Sequence, residues 1–346
     1  MRLVCVGLST VDLVHRVPRI PGPDEKAQAT TVEVAAGGPA LNAAVTAAVL
    51  GADVTLVTAI GSHPLGGLIK QDLEGYGVKL LDAAEDATEP PPLSAVTVEE
   101  GTGRRSIVSR NAGAVTPRMP SCDLSGTVLV DGHHPALARA AAERAGTLVV
   151  DAGHWRPVFA DILPRATVVA ASAGFHLPTE ATAATTSHHP PTDESAATMT
   201  HRPPTPATMT HRPPANVAAA TMSHHPPTSV TADATAATTS GLRRPSGEEA
   251  LAGVAPHVAV TNGPAPVRWW SLTKDGAASG ERPVPTVDAV DTAGAGDAFH
   301  GALALAIASG ASFVEALDEA IRVAAIRVQH AGPRAWLADP RLITRH

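Results

Sequence analysis

Hydrophobic and polar positions along the chain follow two different patterns. Continuous apolar runs such as "VTLVTA" and "TLVVDA" indicate strands that are buried on both faces. Longer stretches rich in alanine and leucine lie between them and are bounded by glycine, which is typical of helices. This alternation predicts an α/β fold with a mostly parallel sheet and helices on both faces. The predicted buried strands are residues 4–8 and 54–61, the runs at 127–133, 147–154 and 166–172, and a run ending near Thr261, with a further strand at 284–290.

Two segments do not fit this sheet. Residues 11–36 and 93–110 alternate polar and apolar positions around the turns "RIPGPDE" and "EEGTGR", as half-exposed strands do. We therefore expect them to form a small separate β-sheet that acts as a lid.

Composition narrows the class of protein. The chain has 346 residues, 44% of them hydrophobic, and a net charge of -7. The absence of a basic block argues against nucleic acid as a partner. No run reaches the ~18 apolar residues of a membrane span, so no membrane partner is expected. The two cysteines fit a reducing compartment, and the expected location is cytoplasmic.

One internal tract differs from the rest of the chain. Residues 178–245 are rich in threonine, alanine, histidine and proline and repeat units such as "TMTHRPP" at irregular spacing. These units have no apolar face with which to stack as a solenoid. The composition predicts a disordered insertion within a single domain, 1–346.

The stretch "DTAGAGDAF" carries the clearest candidate chemistry. Gly294, Ala295 and Gly296 leave the backbone amides bare, and a helix that begins there adds its unpaired N–H groups and positive dipole end. Such a turn suits a phosphate group. Asp297 would repel a phosphate, but it could take the proton of an attacking hydroxyl. The positive helix end is expected to lower the pKa of Asp297.

This stretch resembles the C-terminal signature of the ribokinase-like, or PfkB, carbohydrate kinase family. The layout is most similar to ketohexokinase-type members. The resemblance implies a three-layer sandwich with a central, mostly parallel sheet and a small β-sheet lid. It also implies ATP-dependent phosphorylation of a hydroxyl on a small carbohydrate, fructose-like or ribose-like. Asp297 would be the general base, and the backbone of Gly294, Ala295 and Gly296 would be the anion hole.

Three further segments resemble the sugar-binding motifs of that family. "GLSTVD" implies that Asp12 binds sugar hydroxyls, and "GGPALN" assigns Gly37, Gly38 and Asn42 to the same site. From the residues alone, a carboxylate after a buried strand can accept two hydroxyl hydrogen bonds. "RNAG" implies that Asn111 closes over the sugar.

The nucleotide side matches the family less completely. "VTNG" resembles a T-x-G motif and places Thr261 and Gly263 near ATP, although Pro266 stands where relatives usually have a second glycine. Asp291 and Thr292 are also assigned to cofactor binding. The resemblance implies Mg²⁺ with ATP and a monovalent cation, K⁺, near Asp291. It does not identify metal ligands.

One departure and two alternatives stay open. Where the family often has N-x-x-E, this chain has Ala171 and Gly174, whose side chains cannot ligate a metal. The alternatives are a nucleoside kinase of the same family and a non-catalytic sugar-binding or nucleotide-binding relative. The low aromatic content, 3%, favours a sugar over a nucleoside. The resemblance also implies a homodimer, because lid strands in this family often pair between subunits.

Overall fold

The continuous apolar runs form the inner strands of a nine-stranded sheet with the order β13-β12-β11-β10-β9-β8-β1-β4-β5. The computed structural model describes residues 1–102, 104–112, 115–178, 251–274 and 276–343. The insertion predicted at 178–245 lies outside the described residues, apart from Pro178. The strands of this sheet are β1 Arg2–Val6, β4 Asp53–Thr58, β5 Lys79–Asp82, β8 Thr127–Val130, β9 Thr147–Ala152, β10 Val168–Ser172, β11 His257–Asn262, β12 Ala265–Thr273 and β13 Gly276–Arg282.

Seven neighbouring strands of this sheet, β11 through β5 in the sheet order, are parallel, as the alternation of strands and helices predicted. The exception is one edge, where β11, β12 and β13 run antiparallel. The sequence prediction missed β12 and β13. The run "GAASGER" of β13 has little β-propensity of its own and forms a strand by pairing with β12.

The strand predicted at 284–290 is wrong, since these residues form no regular element. Pro283 and Pro285 flank its first valine. Neither proline has an N–H to donate to a neighbouring strand, so the segment cannot join the ladder.

A separate four-stranded sheet has the order β3-β2-β6-β7. Its strands fall within or next to the two alternating segments. The pair β2–β6 is parallel, and the pairs β2–β3 and β6–β7 are antiparallel. The strands are β2 Thr10–Val17, β3 Thr31–Gly37, β6 Leu93–Glu99 and β7 Arg105–Ser109.

Helices cover both faces of the large sheet, because successive strand residues point to opposite sides. Leu3 and Cys5 belong to one buried apolar cluster, with α1, α2, α5 and α6, whereas Val4 and Val6 belong to another, with α3 and α4. The result is the three-layer α/β arrangement that the sequence predicted. The helices that lie wholly within the described ranges are α1 Pro39–Val49, α2 Gly66–Gly75, α3 Pro135–Arg144, α4 Phe159–Ile162, α5 Ala295–Ala308 and α6 Phe313–Arg327. None of the helices in the described ranges is both long and apolar enough to cross a bilayer.

Candidate active site

A cavity of about 1200 Å³ lies where the carboxyl ends of the parallel strands face the small sheet. In open α/β sheets, this edge is where ligands bind. Most of the predicted site residues line the cavity, although they come from distant parts of the chain. These are Asp12, Gly37, Gly38, Asn42, Asn111, Asp291, Thr292, Gly294 and Asp297.

The glycine turn begins helix α5. The Ala295 amide donates to the Thr292 carbonyl at 3.3 Å, and among the described residues no backbone oxygen accepts from the amides of Gly296 and Asp297. Gly294 is the N-cap and has left-handed backbone angles, φ 72° and ψ 7°, which glycine adopts without strain. No side chain caps this helix end. Unsatisfied N–H groups at the start of a helix attract anions, so the turn fits a phosphoryl group.

Asp297 lies in the first turn of α5, next to these amides. Its Oδ2 accepts a hydrogen bond of 2.7 Å from Asn42 Nδ2. Burial and the neighbouring carboxylate of Asp151 raise the pKa of Asp297 to about 6. The expectation that the helix end lowers this pKa was therefore wrong, because burial and carboxylate repulsion outweigh the helix dipole. A base with a pKa near 6 is ionised at neutral pH and can still accept a proton efficiently.

A buried histidine lies one helical turn beyond Asp297. His300 Nδ1 lies 3.2 Å from Asp151 Oδ2, and both side chains are largely enclosed. Burial alone would lower the pKa of His300, but the carboxylates of Asp151 and Asp297 outweigh burial and raise it. The His300–Asp151 pair is thus a second proton-binding group, one helical turn from the candidate base Asp297.

Asp12 faces the cavity from strand β2. Thr10 Oγ1 donates a 2.7 Å hydrogen bond to its Oδ1, and burial raises the pKa of its carboxyl group. Gly37 pairs with Thr10, on the same strand as Asp12, and a Cβ at Gly37 would collide with the Asp12 carboxylate. Gly38 has φ 98° and passes close to the backbone of Leu8, so only glycine fits there without strain.

Asn111 reaches the cavity from the end of β7. Its Oδ1 lies 2.6 Å from His133 Nδ1, and His133 Nε2 in turn lies 2.6 Å from Arg156 Nη2. Asp131 fixes the backbone below this group, since its carboxylate accepts from the amides of Leu8, Ala40 and His133. Asn111 is therefore held toward the strand ends, where it can reach a bound ligand.

The carboxylate of Asp291 is already compensated by protein groups. Arg16 Nη2 lies 3.3 Å and Arg327 Nη2 3.6 Å from its Oδ2. Arg327, whose side chain is 3% exposed, also donates to the carbonyl oxygens of Asp291 and His330 at 3.4 Å and 2.9 Å. Carboxylate and carbonyl oxygens are the kind of ligand that a monovalent cation uses, and guanidinium groups already contact these three. The residues near Asp291 do not fit the K⁺ ion that the resemblance implied.

The remaining predicted residues lie outside the residues that line the cavity. Ala295 and Gly296 form the first turn of α5, and their contribution would come from backbone amides. Thr261 ends the parallel part of β11, and Gly263 forms the turn into β12 with φ 53°. Their assignment to ATP stays a prediction.

The two departures from the family motif occupy structural positions. Ala171 is fully buried in the core on β10, and Gly174 lies in the turn that follows this strand. Neither residue presents a side chain to a ligand, as the sequence indicated.

Sequence reasoning missed five charged residues of the site. Asp131 and Asp151 come at the ends of apolar runs, "TVLVD" and "TLVVD", and this position at a strand's carboxyl end was a usable signal. His300 lies one helical turn after Asp297 and was detectable by that spacing. Arg327 and Arg334 carry no local signal, because only the tertiary fold brings them to the cavity.

Comparisons with known proteins agree with this arrangement. A ribokinase from Thermotoga maritima has 20% sequence identity and a TM-score of 0.65, with 99% of this chain and 97% of that chain covered. Arabidopsis thaliana ribokinase, solved with ribose and ATP, has 19% identity, a TM-score of 0.64 and 99% coverage of both chains. A Methanocaldococcus jannaschii nucleoside kinase of the ribokinase family has 14% identity and a TM-score of 0.63, with 100% of this chain and 98% of that chain covered.

These likenesses confirm the ribokinase-like fold. The family model for pfkB family carbohydrate kinases matches residues 1–173 and 233–339, which is most of the chain. The chain therefore belongs to the pfkB family of carbohydrate kinases.

Proposed function

We propose that this protein transfers the γ-phosphoryl group of ATP to a hydroxyl of a small carbohydrate, fructose-like or ribose-like, with Asp297 as the general base. One observation carries the proposal. Asp297 stands next to an uncapped, glycine-led helix end and lines the same cavity as Asp12 and Asn42. A proton acceptor, an anion site and hydroxyl ligands thus meet in one place.

The chain's own residues have distinct roles in this mechanism. Asp12 accepts hydrogen bonds from the hydroxyls of the sugar and orients the one that reacts. That hydroxyl loses its proton to Asp297 while its oxygen bonds to the γ-phosphorus, and the bond from that phosphorus to the oxygen of departing ADP breaks. Amides of the turn at Gly294, Ala295 and Gly296 stabilise the negative charge on the transferring group. Asn111 and the small sheet, as a lid, exclude water.

Magnesium belongs to this proposal as a companion of ATP. Bound Mg²⁺ neutralises charge on the phosphates. No three His, Cys, Asp or Glu side chains within the described ranges form a metal site. Mg²⁺ on a nucleotide keeps waters and phosphate oxygens as most of its ligands, so this finding is compatible with its entry on ATP. We place ATP at the turn and, by resemblance, near Thr261, Gly263 and Thr292.

A nucleoside is the second candidate substrate, and one structural feature favours it. The face of the small sheet toward the cavity presents the aliphatic side chains of Val14, Val96, Val98 and Ile107. A nucleobase requires an apolar wall, and these side chains form one without aromatic residues. A sugar would need only the polar residues around Asp12.

A substrate panel with ATP and Mg²⁺, read by coupled ADP release, tests the proposal. We expect turnover of a pentose or hexose. Turnover of adenosine with none of the sugars would replace the sugar assignment by the nucleoside assignment. The absence of turnover with every acceptor, together with measurable sugar binding by calorimetry, would indicate the non-catalytic relative that Ala171 and Gly174 motivate.

A homodimer through the small sheet is a further part of the proposal. Its face away from the cavity exposes Val32, Val34 and Val108, which are 57%, 52% and 74% exposed. Apolar strands at an exposed edge favour pairing with another chain. Light scattering on the purified protein distinguishes a dimer from a monomer, and Val108→Glu is expected to shift a dimer toward monomer.

A further inference from the structure

Asn42 connects the candidate base to a partly buried ion pair, Arg334–Asp72. Its Nδ2 donates to Asp297 Oδ2 at 2.7 Å, and its Oδ1 accepts from Arg334 Nη1 at 3.1 Å. A guanidinium group can only donate hydrogen bonds, whereas an amide has one donating and one accepting end. Arg334 therefore determines which end of the Asn42 amide faces Asp297.

Arg334 is itself held firmly. Its Nε lies 3.1 Å from both carboxylate oxygens of Asp72 on α2, and its Nη2 lies 2.8 Å from Asp72 Oδ2. The backbone oxygens of Ala36 and Pro333 accept its other hydrogen bonds, at 3.1 Å and 3.2 Å. A planar guanidinium group with fixed partners on several sides has one orientation. The donors of Arg334 are thus engaged by protein atoms.

We propose that Arg334 is a positioning residue that acts through Asn42, fixing a hydrogen-bond donor against Asp297 and so keeping Asp297 ready to accept a proton. This inference rests on the proposed function, because it takes Asp297 as the base. The chain of contacts is Asp72, Arg334, Asn42 and Asp297, and it joins α2, α1 and α5 through a segment near the C-terminus.

Loss of Arg334 would free the amide of Asn42 to rotate. An amide oxygen turned toward Asp297 would face carboxylate oxygens, and this contact is favourable only if Asp297 carries a proton. The other charged groups near Asp297 shift its pKa in opposite directions. Asp151 and Asp131 favour its protonated form, while His300 and Arg327 favour the ionised form. Because these charges oppose one another, the hydrogen bond from Asn42 is needed to keep the pKa of Asp297 from rising further.

Nuclear magnetic resonance of the Asn42 side-chain amide tests this without any substrate. The resonance pair is identified by its loss in Asn42→Ala, and its shift is followed across pH. In the wild type, we expect a titration with a midpoint at about pH 6, the pKa of Asp297. In Arg334→Met, the midpoint is expected to rise by about one pH unit, the size of one hydrogen bond to a charged group.

Two further variants keep the test decisive. Arg282→Met removes a more exposed Arg–Asp pair that has two hydrogen bonds, with Asp318, from between β13 and α6, and it should leave the midpoint unchanged. Asp72→Asn weakens the ion pair that holds Arg334 but leaves the Arg334 side chain in place, so a smaller rise of the midpoint is expected. If Arg334→Met does not fold, Asp72→Asn is the variant that tests the proposal. An unchanged midpoint in a folded Arg334→Met protein would overturn the proposal. If only Asp72→Asn folds, an unchanged midpoint in that variant would overturn it.

Kinetics provide the second readout once a substrate is known. The acid limb of kcat/KM in Arg334→Met should move upward with the amide midpoint, whereas a merely structural loss would lower the rate equally at all pH values. If no acceptor is phosphorylated, the kinase proposal fails, but the amide titration still decides the role of Arg334.

Discussion

Asp291 and Asp297 flank the same glycine turn, yet their surroundings are opposite. Arg16 and Arg327 lie near the carboxylate of Asp291, and the amides of Ala293 and Gly332 donate to it. Burial alone would raise the pKa of Asp291, but these donors outweigh burial and lower it. For Asp297, Asn42 is the one side chain among the described residues that donates directly to the carboxylate, and the pKa rises to about 6.

The difference shows how one short segment can contain both a structural acid and a reactive acid. A carboxylate that is surrounded by guanidinium and amide donors is a poor proton acceptor, and its ion pairs hold α6 and β2 to the turn. A carboxylate that is buried near other acids retains affinity for a proton. Charge compensation therefore separates the roles of the two residues more clearly than their shared motif does.

The same substitution at the two positions is expected to have different consequences. Asp297→Asn removes the proton acceptor and should lower kcat by about 10³-fold, within the usual range for a general base. Its stability should not fall, because the folded protein no longer holds a carboxylate with a raised pKa in ionised form at about pH 8. Coupled ADP release and urea unfolding measure the two effects. Asp318→Asn is the matched control, and a loss of less than about tenfold would contradict the base assignment.

Asp291→Asn is expected to act on stability. The substitution leaves the guanidinium group of Arg327 buried without its carboxylate partner, and breaking such a pair costs about 3 kcal/mol. Urea unfolding of Asp291→Asn and Asp318→Asn should give a clear difference, since the exposed Asp318 pair contributes at most about 1 kcal/mol. Equal losses in the two variants would show that Asp291 is not the structural acid of the pair.

The two acids should also differ in their dependence on pH. As pH falls below about 6, Asp297 becomes protonated, and kcat/KM should drop about tenfold per pH unit. Asp291 has a lowered pKa, so its contribution to stability is present above the ordinary value of about 3.9 and is lost only at still lower pH. Rate profiles and urea unfolding across this range test the pair. A parallel loss of rate and stability between about pH 6 and pH 5 would contradict the assignment.

The sequence predicted those parts of the site that are local. Gly294 and Asp297 lie three residues apart on a single turn, so one short motif contains both. Apolar runs that alternate with helices are likewise sufficient to predict the parallel sheet. The motif around Gly37 could be interpreted in the same way. Its physical requirement, an absent side chain beside Asp12, became visible only when β2 and β3 were paired.

The parts that could not be predicted depend on tertiary placement. The pKa of Asp297 depends on its burial and on Asp151, which lies on strand β9, so a local argument from the helix dipole gave the wrong direction. Arg327 and Arg334 occupy unremarkable positions in the sequence and reach the cavity only through the packing of α6 and the segment after it. The strand predicted at 284–290 was wrong for a different reason, because the prediction gave the valines more weight than the prolines.

The environment of Asp291 has a last consequence for cation dependence. A guanidinium group is a permanent cation whose donors replace the coordination that an ion would provide. Because Arg327 occupies the carbonyl oxygens of Asp291 and His330, an added K⁺ ion would have to displace a buried side chain. Activity is therefore expected to be independent of the monovalent cation, and this is the smallest of the predicted effects.

The measurement compares K⁺, Na⁺ and tetramethylammonium salts at equal ionic strength, so that screening is constant. Turnover should vary by less than about twofold, and the thermal midpoint should not change, since an ion that binds the folded state would raise it. Arg327→Met opens the site and should make the thermal midpoint sensitive to K⁺, with Arg282→Met as the matched control that stays insensitive. A strong requirement for K⁺ in the wild type would show that Asp291 accepts a cation despite its two arginines, and the contrast between the two acids would then have to be redrawn.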